Sequence, residues 1–195
     1  MRIAALGFDL DGTITTTNVH FGPFRRRIGC AEEDILAYID TADQIHQQEY
    51  RRVLDDYEAA IQRDCVLQPG FFEVMSYCTA HGIKTGIVTR SSRHHAQIVI
   101  EKLQIPIEHV IGRDDAPPKP SGSPLVKLAG MLTVTPESML FVGDYLWDLL
   151  AGESAGATTV LLLNDHNQSF AQHAQYTITT LTDLIALMDA LRTKE

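Results

Sequence analysis

Apolar runs of strand length, separated by stretches of helical periodicity, are the feature that most narrows what this chain can fold into. Runs rich in β-branched residues stand at about Ile3 to Leu10, Ile83 to Thr89, His109 to Gly112, Met139 to Gly143 and Thr158 to Leu163, with a weaker one at Tyr176 to Ile178. Their apolarity is nearly continuous, so each is expected to be buried on both faces. Between them lie helical patterns at Phe71 to His81, Ser92 to Leu103, Ser123 to Met131, Trp147 to Ala155 and Asp183 to Leu191, several opened by a Ser or Asp able to cap. Strands that alternate with helices in this way predict an α/β fold built on a doubly wound parallel sheet.

Residues 14–68 interrupt the alternation. They contain no convincing strand and are dominated by a polar, strongly helical pattern from about Ala42 to Arg63. Within it Ile45, Val53, Tyr57 and Ile61 recur at multiples of four, a narrow apolar stripe suited to packing. We read this stretch as a small inserted helical lobe, with Pro69-Gly70 marking the return to the sheet. The chain then divides into a core of residues 1–13 and 69–195 and an insertion of residues 14–68. A frayed tail is expected at Arg192 to Glu195.

Charge bears on partners. The sequence holds 16 Lys and Arg against 25 Asp and Glu, a net charge of -9, which is the wrong sign for an electrostatic hold on nucleic acid or an anionic membrane. Neither is expected as a partner. The opening MRIAALGFDLDG meets two Asp within eleven residues, too soon for a secretory or bilayer-spanning segment, so a soluble, cytoplasmic protein is expected. Cys30, Cys65 and Cys78 lack zinc-type spacing and are odd in number, so they are read as free, partly buried thiols.

Four motifs sit where an expected strand ends or just beyond, and the carboxyl ends of strands in an open parallel sheet converge on the crevice where ligands bind. The first is Phe8-Asp9-Leu10-Asp11-Gly12-Thr13. Carboxylates two residues apart on a strand tend to project to one side, and two like charges together call for a cation. Magnesium suits them, being hard and oxygen-seeking while keeping positions for water and phosphate. Gly12 permits a tight turn and close approach of a phosphate to backbone N–H groups. Taken alone, the same pair could simply end a strand in an Asx turn. The second is Ile87-Val88-Thr89-Arg90-Ser91, a strand ending in hydroxyl and guanidinium donors suited to phosphate, although Ser91 or Ser92 also fits as a helix cap. In the third, Pro117-Pro118-Lys119-Pro120, prolines on both sides give a Lys a stiff origin, and a rigidly placed ammonium suits a transferring phosphoryl group. The fourth runs from Phe141 to Asp148. Its strand breaks at Gly143 and delivers Asp144, which could complete an oxygen shell with Asp9, while Asp148 stands four residues on at a helix mouth, a position the helix dipole also favours.

On these residues the chain resembles the haloacid dehalogenase-like hydrolases: DLDGT at Asp9 to Thr13, the strand-ending Thr89, Lys119 in PPKPS, and GDYLWD at Gly143 to Asp148. The likeness spans about residues 1–13 and 69–182. It is nearest the phosphoglycolate-phosphatase-like branch, whose helical cap is inserted after the first motif. The resemblance implies a three-layer, Rossmann-like parallel sheet with a small helical cap, and a magnesium-dependent phosphatase acting on a small phosphorylated metabolite. It also implies that Asp9 attacks phosphorus to form an aspartyl-phosphate, and that Asp11 protonates the leaving alkoxide and then activates water. Thr89 and Lys119 would hold the phosphoryl oxygens. Mg2+ would be bound by the Asp9 carboxylate, the Asp11 carbonyl and the Asp144 carboxylate, with Asp148 helping through water or by orienting Lys119. Arg90 stands where many of these phosphatases have Asn, so it is expected either to change how the substrate's far end is read or to add a charge to the phosphate pocket. The lobe of residues 14–68 is also somewhat short for this cap type.

Three other functions compete. The superfamily's dehalogenases need neither Asp11 nor Asp144, so the pair favours phosphorus chemistry. A phosphomutase would use the same residues and differ in how water is excluded. A receiver-like phospho-switch joins similar residues on a similar sheet, but with its acceptor elsewhere and no large insertion. Arg25, Arg26 and Arg27 could meet a substrate carboxylate or second phosphate, although a basic run is more often a solvated face. His20, His94 and His95 are assigned no role beyond solvent or capping.

Overall fold

The structure is a computed structural model and describes residues 3–31 and 34–192. In chain order the strands are β1 (Ala5–Phe8), β2 (Thr15–Thr16), β3 (Val66–Leu67), β4 (Lys84–Val88), β5 (Val110–Ile111), β6 (Met139–Gly143), β7 (Thr158–Leu162) and β8 (Tyr176–Ile178). The helices are α1 (Phe21–Ile28), α2 (Ile35–Thr41), α3 (Gln44–Asp64), α4 (Phe71–His81), α5 (Arg93–Leu103), α6 (Ser123–Met131), α7 (Leu146–Ala155) and α8 (Asp183–Arg192). Two compact units result: one of residues up to Thr16 together with those from Val66 onward, the other of Thr17–Cys65.

The larger unit is a parallel sheet in the order β5-β4-β1-β6-β7-β8. Every residue of β1, β6 and β7 is buried, as continuous apolar runs require when helices cover both faces. On one face Ala5, Val88, Met139 and Phe141 share a core with Leu125 and Leu128 of α6 and Ala151 of α7. Phe8, three residues after Ala5 and therefore on the other face, meets Phe71 of α4 edge to face at 6.0 Å between ring centroids. From β1 the chain winds outward through β4 to β5, then returns to the other side of β1 with β6. The winding direction therefore reverses between β1 and β6, where a crevice is expected. Register brings the strand ends level, since Phe8 stands opposite both Ile87 of β4 and Val142 of β6.

The smaller unit packs three helices around Phe24, Ile28, Ile35, Ile39, Val53 and Leu54. Asp34 caps α2 by accepting from the Leu36 and Ala37 N–H groups, and Asp43 caps α3 through those of Ile45 and His46. The expected stripe on α3 holds in part. Val53 and Ile61 are buried and Tyr57 packs its tilted ring against Phe21 and Phe24, but Ile45 is 79% exposed. A strict four-residue spacing turns about 40° per step around a helix of 3.6 residues per turn, so Ile45 and Ile61 lie on nearly opposite faces.

The stretch read as free of strands begins and ends in one. Thr15 and Thr16 pair antiparallel with Leu67 and Val66, which moves the boundaries of the helical unit inward to Thr17 and Cys65. Strands of two residues carry no detectable period. α1 and α2 carry no sequence signal of their own, each being too short to show a full periodic pattern. Of the expected C-terminal tail only Arg192 is described, as the last residue of α8; the remainder lies outside the described residues. Among the described residues no helix is long and apolar enough to cross a membrane. Cys30, Cys65 and Cys78 are buried thiols, none of them in a disulfide.

Candidate active site

Asp9 is the residue after β1, and its N–H donates to the Val142 carbonyl of β6 at 2.8 Å, so the sheet ladder itself carries it into the crevice. The chain then curls back: the Ile14 and Thr15 N–H groups both return to the Leu10 carbonyl, and the Gly12 N–H donates to the Thr15 carbonyl. Gly12 has φ +102°, and a β-carbon there would lie 2.5 Å from Asp144 Oδ2. Both the conformation and the space demand glycine. Thr13 donates through its hydroxyl to Asp144 Oδ1 at 3.3 Å, tying the first motif to the fourth.

Lys119 reaches the same place from the loop between β5 and α6 and is 1% exposed. Its ammonium donates to Asp9 Oδ1 at 2.6 Å, Asp148 Oδ1 at 2.5 Å and the Val88 carbonyl at 2.9 Å, which uses all three N–H groups. Burial alone would lower the Lys119 pKa, but the charges of Asp148 and Asp9 outweigh it and hold the ammonium above its ordinary value. Asp148 is fixed on its second oxygen too, because Oδ2 accepts from the Tyr145 N–H at 3.0 Å at the start of α7. A β-carbon on Gly143 would stand 2.2 Å from Asp148 Cβ, so the strand can end here only in glycine.

Asp9, Asp144 and Asp148 each present an oxygen within 4.8 Å of the others. Three carboxylates around one ammonium leave a buried excess of negative charge. Burial pushes the Asp9 carboxyl well above its usual range, with Asp148 and Asp144 adding to the rise and Lys119 opposing it. Burial and the Asp148 charge likewise raise Asp144 to about 7. A hard divalent cation fits such a set, since it would meet oxygen donors only and offset the excess charge.

Asp11 stands apart from this cluster. Its side chain is 19% exposed, its Oδ2 accepts from the Ser91 hydroxyl at 2.7 Å, and its Oδ1 lies 3.2 Å from His95 Nε2. Thr89 is buried at the end of β4 and its hydroxyl accepts from the Ser91 N–H at 3.0 Å. Arg90 donates to the Lys119 carbonyl and lies over the Trp147 ring at 5.7 Å from its centroid. The guanidinium is therefore committed to joining the second, third and fourth motifs.

The fold thus gathers all eight residues singled out in the sequence, Asp9, Asp11, Gly12, Thr89, Arg90, Lys119, Asp144 and Asp148, around the ends of β1, β4 and β6. Two participants were not anticipated. His95, given only a solvent or capping role, is fully buried against Asp11. Asn167, buried after β7, donates to the carbonyls of Asp144 and Leu162 at 2.8 Å and so holds the Asp144 loop to the neighbouring strand. The sequence hinted at His95 only through its place in the first turn after the Ser92 cap, and nothing local marks Asn167. In the helical unit Arg27 pairs with Asp56 at 3.1 Å, with both side chains exposed.

Residues 22–162 match the family model of haloacid dehalogenase-like hydrolases. An uncharacterised hydrolase of Saccharomyces cerevisiae is 30% identical over 201 residues, covering 98% of this chain and 92% of the yeast protein. Pyrophosphatase PpaX of Anoxybacillus flavithermus is 30% identical over 182 residues, covering 82% of this chain and 83% of its own. A crystal structure of a predicted phosphoglycolate phosphatase from Haemophilus somnus superimposes with a TM-score of 0.75 at 19% identity, covering 96% of this chain and 98% of that one, which bears on the fold.

Proposed function

The chain belongs to the haloacid dehalogenase-like hydrolases, and we propose that within that family it is a magnesium-dependent phosphatase of small phosphomonoesters, with Asp9 as nucleophile and Asp11 as general acid and base. The observation that carries this reading is the unequal treatment of two carboxylates on one short loop. Asp9 is buried against Lys119 and the acidic cluster, whereas Asp11 is partly exposed and held by Ser91 and His95. Carboxylates in environments this different are suited to different tasks.

In the first step an Asp9 oxygen attacks phosphorus as the bond to the leaving oxygen breaks, and Asp11 gives its proton to that oxygen, releasing the alcohol. In the second, Asp11 as carboxylate takes a proton from water while the water oxygen attacks phosphorus, returning Asp9 and releasing phosphate. Lys119 holds Asp9 through Oδ1, which leaves Oδ2 to attack, and its charge lies beside the phosphoryl oxygens. The Thr89 hydroxyl, which accepts from the Ser91 N–H, would donate its proton to one of those oxygens. Asp9, Asp144 and the Asp11 carbonyl would hold Mg2+, with Asp148 steadying Lys119. Bound there, the ion would neutralise charge on the phosphoryl group and on the carboxylates.

Phosphate release from a panel of small phosphomonoesters, and from pyrophosphate as an anhydride for comparison, with and without Mg2+ and with Asp9→Asn as control, tests the reading. Metal-dependent release that the variant loses is expected, whereas Asp9→Asn retaining a tenth of the activity sinks the nucleophile. Turnover of a sugar phosphate with little net phosphate would point to a mutase, and a single stoichiometric acyl phosphate to a switch.

A further inference from the structure

Two contacts of the Asp11 carboxylate take no part in either proton transfer. Ser91 Oγ donates to Oδ2 at 2.7 Å, and the His95 ring, completely buried, places Nε2 at 3.2 Å from Oδ1. We propose that His95 is a positioning residue that holds Asp11 in the orientation serving the leaving-group oxygen, a role that rests on the phosphatase reading above.

The need for such a hold follows from where Asp11 sits. It lies outside the regular strand, beside a glycine in the left-handed region, so the sheet ladder does not fix it as it fixes Asp9. An Asp side chain in that position has several staggered orientations open to it, and general acid catalysis requires one of them, within hydrogen-bond reach of the ester oxygen. Effective molarity is lost whenever the acid points elsewhere.

His95 is suited to supply the constraint. It stands in the first turn of α5, where its own N–H donates to the Ser92 hydroxyl at 3.1 Å. Ala96 and Val99, both completely buried, anchor the same helix against the core. The ring therefore approaches Asp11 from a rigid element rather than from a loop. Ser91 approaches the other oxygen from the same segment of chain, so a single stretch following β4 grips both oxygens. Each carboxylate oxygen has two acceptor sites, and one contact apiece leaves capacity for the proton and the substrate. A buried imidazole serving the fold alone would need a hydrogen-bond partner but not this one, and its loss would not depend on which ester is hydrolysed.

The test compares His95→Leu, which keeps bulk and removes the donor, with His95→Gln, whose amide can restore it. An alkyl phosphate that the wild type hydrolyses and 4-nitrophenyl phosphate, whose leaving group needs little protonation, serve as substrates. For His95→Leu we expect kcat on the alkyl ester to fall about 10- to 100-fold with KM within about twofold, the aryl ester to be affected far less, and His95→Gln to recover most of the loss. Equal losses on both esters, or no recovery in His95→Gln, overturns the proposal. Crystal structures of the wild type and both variants give a readout independent of turnover. The Asp11 carboxylate should leave its wild-type orientation in His95→Leu and regain it in His95→Gln, and an unmoved Asp11 refutes the positioning role whatever the activity. If His95→Leu does not fold, Ser91→Ala, which removes the other donor, should show the same dependence on leaving group, and failure to do so likewise overturns the idea. A wild type without metal-dependent phosphatase activity would instead strike at the underlying function, which separates the two failures.

Discussion

Lys119 is the residue on which the most structure depends. Among the described residues its ammonium is the cation that pairs with the buried Asp9 and Asp148 carboxylates, and both make short ion pairs to it. Taking away one partner of a buried ion pair leaves uncompensated charge, which costs more than the pair contributes in net stability. Lys119→Met should therefore lower unfolding free energy by about 3 kcal/mol in urea titrations without metal, besides abolishing turnover. An unchanged unfolding midpoint would mean that the carboxylates escape the penalty by binding protons, toward which the upward shifts of Asp9 and Asp144 already lean. Lys119 was legible as a site residue because prolines bracket it. That it would be spent on two carboxylates and the Val88 carbonyl was not, because those partners lie 29 to 110 residues away in the chain.

Among the elements, α8 offers a prediction that depends on pH. Asp183 opens this helix and its Oδ2 accepts from the Thr179 and Thr180 N–H groups and the Thr179 hydroxyl, bonds that lower its pKa from 3.8 to about 2. A carboxylate with a depressed folded pKa contributes stability that is complete above its unfolded value and disappears as pH falls through the folded one. Asp183→Asn should then cost about 1 kcal/mol at neutral pH, since the group is solvent-screened and the bonds are ordinary capping contacts. The difference between variant and wild type should shrink below pH 3.8, be mostly lost at about 2 and vanish below that. Thermal unfolding at several pH values would check it, and a gap that persists at the acid end would show that the loop is held by something else. Elements of this size with one apolar face are legible in the sequence: α4 and α6 begin and end where their periodicity does. The two-residue strands were not, because their pairing partner alone defines them.

Taken whole, the molecule contains an insertion whose ends meet. Thr16 pairs with Val66, and the helical unit of Thr17–Cys65 has its own core and its own capped helices. Adjacent antiparallel strands can be closed by a two-residue turn such as Asn-Gly. Replacing residues 17–65 by that dipeptide should leave a cooperatively unfolding protein that keeps the far-ultraviolet signature of the parallel sheet and its helices. Loss of a cooperative thermal transition would show that the sheet unit does not fold on its own.

By itself the sequence determined the parallel α/β class, and it pointed to a helical insertion after the first motif and to eight candidate residues that the fold gathers at the strand ends. Each of these is written locally, in apolar runs, in glycines and prolines that dictate backbone shape, and in carboxylates set beside the ends of strands. Tertiary structure alone decided that Asp9 and Asp11 face different surroundings, that Lys119 is shared between Asp9 and Asp148, that Arg90 turns to Trp147, and that His95 and Asn167 take part at all. The physical reason is that charge, burial and hydrogen bonding depend on distance in space. Parallel strands joined by crossover helices bring together groups that no local pattern can relate.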